Sequence, residues 1–295
     1  MGILTKNRKS SGRKAMGKEP PIHDEIGVWS EIKLEIVKEY ATAYSTILAS
    51  QTSPAFSHVY IDAFAGSGIN VSRVTGKFVP GSPLNALEVR PPFQEFYLID
   101  RDDEKVLALQ KIVGARNDVH IFGGDCNEIL LKKVFPQVKY SEFRRGLCFI
   151  DPYRINLDWN VILTAAQMKS VEIFLNFSTH YLNRAILTRR KPDTVPEEPL
   201  ARMNAFWGDT SWENIAYRKP QTRVGSEDEK VTNLELALAY RERLIARAGF
   251  KYVPQPVPMK NSKGAVVYYL FFASHNPVAK TIVEQIFDKH RSRGY

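Results

Sequence analysis

Cysteine is scarce: Cys126 and Cys148 are the two thiols of a 295-residue chain. Two cannot form a disulfide framework or, alone, a structural zinc site, so both are expected reduced, as small buried hydrophobes. No apolar run approaches the roughly 18 residues that a membrane span requires. Residues 1–21 lack the apolar segment of a secretory signal, which leaves a cytoplasmic chain without membrane association as the expectation. No His, Cys and carboxylate grouping has metal-ligand spacing, so no metal site is expected, and no Ser–His–Asp nucleophile arrangement is visible. Internal repeats are absent as well.

What the chain does have is an excess of positive charge, with 41 Lys and Arg against 32 Asp and Glu, or +9. Residues 1–22 concentrate it: Lys6, Arg8, Lys9, Arg13, Lys14 and Lys18 face Glu19 alone, in an aperiodic stretch expected to be disordered. Smaller basic groups occur at Arg184, Arg189, Arg190 and Lys191 and at Lys289, Arg291 and Arg293. Contact with nucleic-acid phosphates, of DNA or RNA, and a plain solvated face both remain open for these groups. Hydrophobic residues at 44% and charged residues at 25% are ordinary for a globular protein.

Hydrophobic spacing organises the rest. Trp29, Ile32, Ile36, Val37, Tyr40, Tyr44 and Ile47 recur at helical period, predicting a helix over 28–50. The period then changes to short apolar runs at 58–62, 96–100, 119–122, 147–151 and 171–175, which read as buried strands. Between them lie helical candidates at 83–90, with Ser82 as N-cap and Pro83 at the first position, then 102–114, 127–134 and about 158–169. Alternating strand and helix demands a mostly parallel sheet with helices on both faces. After 178 the pattern loosens into a Pro- and charge-rich stretch before a long helix at about 229–248. Two strands at about 251–257 and 265–273, joined by Asn261-Ser262-Lys263-Gly264, must then run antiparallel, and a last helix covers 277–290.

The expected architecture is therefore an α/β, Rossmann-like class I methyltransferase fold: a mostly parallel seven-stranded sheet, an antiparallel edge hairpin and a helical and looped insertion. Its parts are a basic tail (1–22), a Rossmann-like, ligand-binding core with an N-terminal helix (23–180), a cap insertion (181–248), and the hairpin with the terminal helix (249–295).

Ligands of open α/β sheets bind beyond the carboxyl ends of the strands, and several of these strands end at or near an acid. Asp62-Ala63-Phe64-Ala65-Gly66-Ser67-Gly68 follows the first strand, where Gly66 and Gly68 permit close approach of main chain to a ligand. A P-loop fails because Ile69 and Asn70 follow Gly68. A dinucleotide fingerprint fits poorly, with Val at 71 and a carboxylate at Asp62 that would repel a pyrophosphate. A cationic ligand suits that carboxylate, and S-adenosylmethionine carries both an ammonium and a sulfonium. Asp100 is placed for ribose hydroxyls or for a helix cap; Asp125 for an adenine amino group or another cap, with Cys126 packing or donating its backbone N–H to the ring. Asp151-Pro152-Tyr153 follows the fourth strand, where an acid can hold an amino group and a tyrosine can stack on an acceptor ring. Arg184, Arg189, Arg190 and Lys191 are candidate phosphate contacts. His180 and Tyr181 border the same region or form a surface turn. Trp29 and Lys33 shape the ligand entrance or, by default, pack in the core and face solvent respectively.

These segments resemble the three-Cys-motif partner family, across about residues 24–290. The similarity is carried by the Trp29/Lys33 helix, Tyr60 to Gly68, Gly81-Ser82-Pro83, Tyr97 to Asp100, Gly124-Asp125-Cys126 and Phe149 to Tyr153, with Asn176-Phe177 and Tyr269 to Ser274 adding weaker likeness. The resemblance implies an S-adenosylmethionine-dependent methyltransferase-like protein whose companion is an iron–sulfur, radical-type protein. Two cysteines are too few for this chain to ligate such a cluster itself. Asp151-Pro152-Tyr153 also resembles the Asp-Pro-Pro-Tyr motif of adenine amino-methyltransferases, with one proline missing and Arg154 following. That likeness implies amino-methylation of a nucleic acid or nucleotide-like acceptor. An adaptor that binds the iron–sulfur partner or nucleic acid is the alternative.

Overall fold

Short segments with apolar side chains on both faces are buried best as inner strands of a covered sheet. The computed structural model of the chain, which describes residues 22–187, 195–218, 229–261 and 263–292, places four of the five so, while the third, Val119–Gly123, is a half-buried edge strand. The five are β1 (Ser57–Asp62), β2 (Glu95–Asp100), β3 (Val119–Gly123), β4 (Arg144–Ile150) and β5 (Val171–Phe177). All five run parallel. Two more, β6 (Val257–Lys260) and β7 (Val266–Ala273), add antiparallel, β7 against β5 and β6 outermost. The order across the sheet is β3-β2-β1-β4-β5-β7-β6. This is the plan of the class I methyltransferase fold, with the strand order reversing beside β1.

Helices cover both faces. On one lie α1 (Val28–Ala49), α2 (Ser82–Leu87), α3 (Asp103–Val113) and α10 (Pro277–Ser292), with Ile36, Tyr40, Leu109 and Phe287 buried against Tyr60, Phe96 and Phe174. On the other lie α4 (Cys126–Ile129), α5 (Trp159–Met168), α6 (Thr179–Ala185), α7 (Glu197–Trp207), α8 (Trp212–Ala216) and α9 (Asn233–Arg243). Phe206, Trp207, Trp212 and Tyr240 of this second group share one apolar cluster with Phe177 and Phe271 of the sheet. Tyr240 is stacked on Phe206 at 5.0 Å between ring centres.

Several local expectations change. Ser82 is not the N-cap of α2: Gly81 holds that position, and the Ser82 side chain bonds Asp62 instead. The 69–81 loop is a ribbon, Ile69–Ser72 against Phe78–Pro80, extended by Asp24–Ile26 in parallel. The helix expected from 229 begins at Asn233, because Thr232 and Glu235 form a reciprocal capping box there, while Glu229–Lys230 pairs with Tyr217–Arg218. The strand expected from 251 starts only at Val257; before it Tyr252 bridges Ser274, and Pro254 and Pro256 lack the N–H that pairing needs. The basic stretch 1–21, Arg189, Arg190, Lys191 and Arg293 lie outside the described residues.

Candidate functional site

Because β1 to β4 are parallel and in register, their carboxyl ends bring Asp62, Asp100, Asp125 and Asp151 to one edge of the sheet. Gly66 and Gly68 both adopt left-handed backbone conformations, with φ of +62° and +82°. They do different work. A Cβ on Gly68 would lie 2.7 Å from Leu109 Cδ1, so close packing of the loop on α2 and α3 explains that glycine. A Cβ on Gly66 would meet nothing nearer than Asp24 Oδ2 at 3.9 Å, which leaves its main chain open to a ligand.

Asp100 anchors the loop from the neighbouring strand. The Gly66 N–H donates to its Oδ2 at 2.7 Å and the Asp102 N–H to its Oδ1 at 2.9 Å, and each oxygen keeps a lone pair for a further donor. Capping of α3 falls to Asp102 rather than Asp100. Asp125 does cap its helix, accepting from Asn127 and Glu128 N–H through Oδ1 alone, and its side chain is exposed. Cys126 is buried at the start of α4 with Sγ 3.7 Å from the Asn156 carbonyl. Phe64 packs on the sheet's apolar cluster.

Asp62 is fully buried and turns back on its own loop, accepting from the Phe64 N–H at 3.2 Å and from Ser82. Burial pushes its pKa up to about 7, against the pull of Ser82 and Phe64 and with smaller upward pushes from Asp151 and Asp100. A buried carboxylate poised near neutrality responds to any charge placed beside it.

Beyond β4, Asp151 is held by two groups from distant segments. Lys33 pairs with Oδ2, and Asn176, near the end of β5, donates its amide nitrogen to Oδ1 at 2.6 Å. Lys33 does not face solvent as the default reading expected: it is buried on α1 beneath the rings of Tyr268 at 5.0 Å and Phe149 at 5.9 Å. Burial acts to lower its pKa, but Asp151, Tyr268 and Asp62 outweigh that and raise it, so the ammonium stays charged. The Asn176 carbonyl oxygen is buried and has no donor. Pro152 is buried, whereas Tyr153 is 71% exposed, with the Arg154 guanidinium 5.2 Å from its ring centre. Arg154 and Ile155, at φ of +56° and +55°, hold a strained turn of the kind that clusters at functional sites.

Sequence reasoning therefore missed Asn176 and Ser82 as site residues and gave Lys33 a solvated default. The available signals were an amide near the carboxyl end of a mainly apolar strand and a lysine adjoining the buried stripe of α1. His180 and Tyr181 lie on α6, the Tyr181 hydroxyl accepting from Arg202 at 3.4 Å, and Arg184 is exposed at the end of that helix. Among the described residues no group of three or more His, Cys, Asp or Glu could hold a metal ion, and no helix is long and apolar enough to cross a membrane.

No family model matches the chain, and no curated protein matches it by sequence. Solved structures do resemble it. A Legionella pneumophila protein is 12% identical with a TM-score of 0.44, over 86% of this chain and 91% of its own. A candidate methyltransferase of Thermobifida fusca is 11% identical with a TM-score of 0.42, over 83% and 79%. The methyltransferase domain of bacterial CtHen1 is 11% identical with a TM-score of 0.37, over 79% and 97%.

Proposed function

We propose that this chain is an S-adenosylmethionine-dependent methyltransferase of the three-Cys-motif partner type that methylates an amino nitrogen of a nucleic acid or nucleotide-like acceptor. The observation that carries this reading is Asn176, whose amide nitrogen donates to Asp151 while its side-chain oxygen is buried and has no donor, at the carboxyl edge of the parallel strands. A buried acceptor without a partner costs about 1–3 kcal/mol, which an amino group donating to it would recover.

The residues present suit the methyl donor. Open main chain at Gly66, spare lone pairs on Asp100 and an exposed Asp125 carboxylate offer acceptors for an ammonium, a ribose diol and an exocyclic amine. When bound, S-adenosylmethionine supplies a methyl group on a sulfonium that is already a strong electrophile. The protein's own contribution is then geometric. Lys33 and Asn176 fix the Asp151 carboxylate, Asp151 and the Asn176 oxygen orient an amino group, and Tyr153 offers a ring face to the acceptor base. Little acid–base strength is required of them.

Calorimetric titration tests the donor: S-adenosylmethionine and its demethylated product should bind, NAD should not, and failure of both sulfur compounds would remove the proposal. Transfer of labelled methyl to DNA, RNA and mononucleotides tests the acceptor, with Asp151→Ala expected to lose at least 100-fold.

One observation favours a second reading, a partner protein with little catalysis: both Asp151 oxygens are already engaged by the chain's own Lys33 and Asn176. That adaptor would form a stable complex with an iron–sulfur protein whether or not Asp151 is replaced, and no methyl would move.

A further inference from the structure

At the opposite end of the sheet from the four aspartates, where β4 and β5 begin and β7 ends, lies a cavity of about 490 Å³. Its size falls in the range of small-molecule sites, roughly 300–1,000 Å³. Three features of its lining converge.

The first is uncompensated positive charge. Arg145, Lys169 and Lys251 line the cavity, and none of the three has a carboxylate within salt-bridge distance among the described residues. Arg145 is held rigidly, its guanidinium 4.8 Å from the ring centre of Phe56 and 3.9 Å from that of Tyr140. Its Nη1 donates to the Tyr140 and Arg144 carbonyls. The first turn of α10, a helix of 16 residues, adds its positive end at Pro277, Val278 and Ala279.

The second is unmet hydrogen bonding. The Tyr44 hydroxyl is buried, lines the cavity and has no partner. His275 donates from Nε2 to the Ala166 carbonyl at 2.8 Å, which leaves Nδ1 an acceptor, and that atom is buried without a donor. The acid in the cavity, Glu172, by contrast has a partner on each oxygen, accepting from Tyr40 at 2.5 Å and Ser274 at 2.9 Å. Burial raises its pKa to about 7, so near neutral pH it offsets only part of the surrounding charge.

The third is an apolar wall of Ile47, Leu48 and Ile282 beside Tyr44 and Phe56. From these features we infer a second ligand site, at the amino-terminal end of the sheet, for a small heteroaromatic anion of mononucleotide size. The anionic group would lie against Arg145, Lys169, Lys251 and the start of α10. The ring would lie on the apolar wall, with one donor toward His275 Nδ1 and one acceptor toward the Tyr44 hydroxyl. The inference uses no residue of the proposed methyl-transfer site, so either can fail without the other.

Titration of the full chain with adenosine 5′-monophosphate, at low salt, tests the inference, with adenosine and inorganic phosphate as separate arms. The nucleotide should bind saturably and at least tenfold more tightly than either half. Lys169→Glu with Lys251→Glu, both at exposed positions, should weaken it at least tenfold, and Tyr44→Phe, which removes one hydroxyl and keeps the ring, about threefold. Saturating S-adenosylhomocysteine should leave nucleotide binding unchanged. No saturable binding, indifference to the charge reversals, or displacement by S-adenosylhomocysteine would each overturn the second site.

Discussion

Replacing Lys33 by methionine removes an ammonium of 6% side-chain exposure from a carboxylate of 28% exposure and leaves the stem volume nearly intact. Deleting one member of a fully buried ion pair costs about 3–5 kcal/mol, because the surviving charge loses its counterion in a poorly solvated place. Water reaches Asp151 and Asn176 still donates to it, so the expected loss is smaller, about 2–3 kcal/mol, or roughly 3–5 °C in melting temperature for a chain of this size. Urea unfolding at neutral pH measures it. The decisive experiment is the double-variant cycle with Asp151→Asn. If the pair is coupled, the double variant should be about 1–2 kcal/mol more stable than the two single losses together require. Methyl transfer should fall in Lys33→Met even where the protein remains folded, since the carboxylate is no longer held. Additive losses to within about 0.5 kcal/mol, or a single variant as stable as the parent, would refute the view that Lys33 positions Asp151.

Asp62 and Glu172, each raised by burial to about 7, hold protons in the folded chain that the unfolded chain has released. Stability contributed by these groups should therefore fall as pH rises from about 4 to above 7, by on the order of 3–4 kcal/mol each. Asp62→Asn or Glu172→Gln should flatten that slope in melting curves recorded across the range. A cation bound near Asp62 favours its ionised form, so affinity for S-adenosylmethionine should rise with pH through about 7 in the parent and become flatter in Asp62→Asn. Gly68→Ala should lose about 2–4 kcal/mol in urea unfolding, from a left-handed backbone and a clash with Leu109; Gly76→Ala, with the same sign of φ and open space, should lose only about 1–2 kcal/mol. Burial pushes the Cys126 thiol up to about 12 and that of Cys148 up as well, so neither should react with an aromatic disulfide reagent at pH 8 until denaturant is added, when both should titrate.

The alternation of apolar runs with helical periods, the antiparallel hairpin after a polar tetrapeptide and the acids at strand ends are all local in the chain, and they determined the sheet and the edge at which those acids meet. Hydrophobic periodicity cannot see which distant groups neutralise one another. Lys33 and Asp151 are 118 residues apart, Asn176 and Asp151 25, and Tyr40 and Glu172 132. Only folding decided that a lysine one position from a buried stripe would complete an ion pair. The same folding drew Ser82 from its expected cap to Asp62 and enclosed a basic cavity around Arg145 at the far end of the sheet. The physical reason is desolvation: burial makes an unpaired charge or polar group costly, and the partner that offsets the cost is selected by proximity in space rather than by position along the chain.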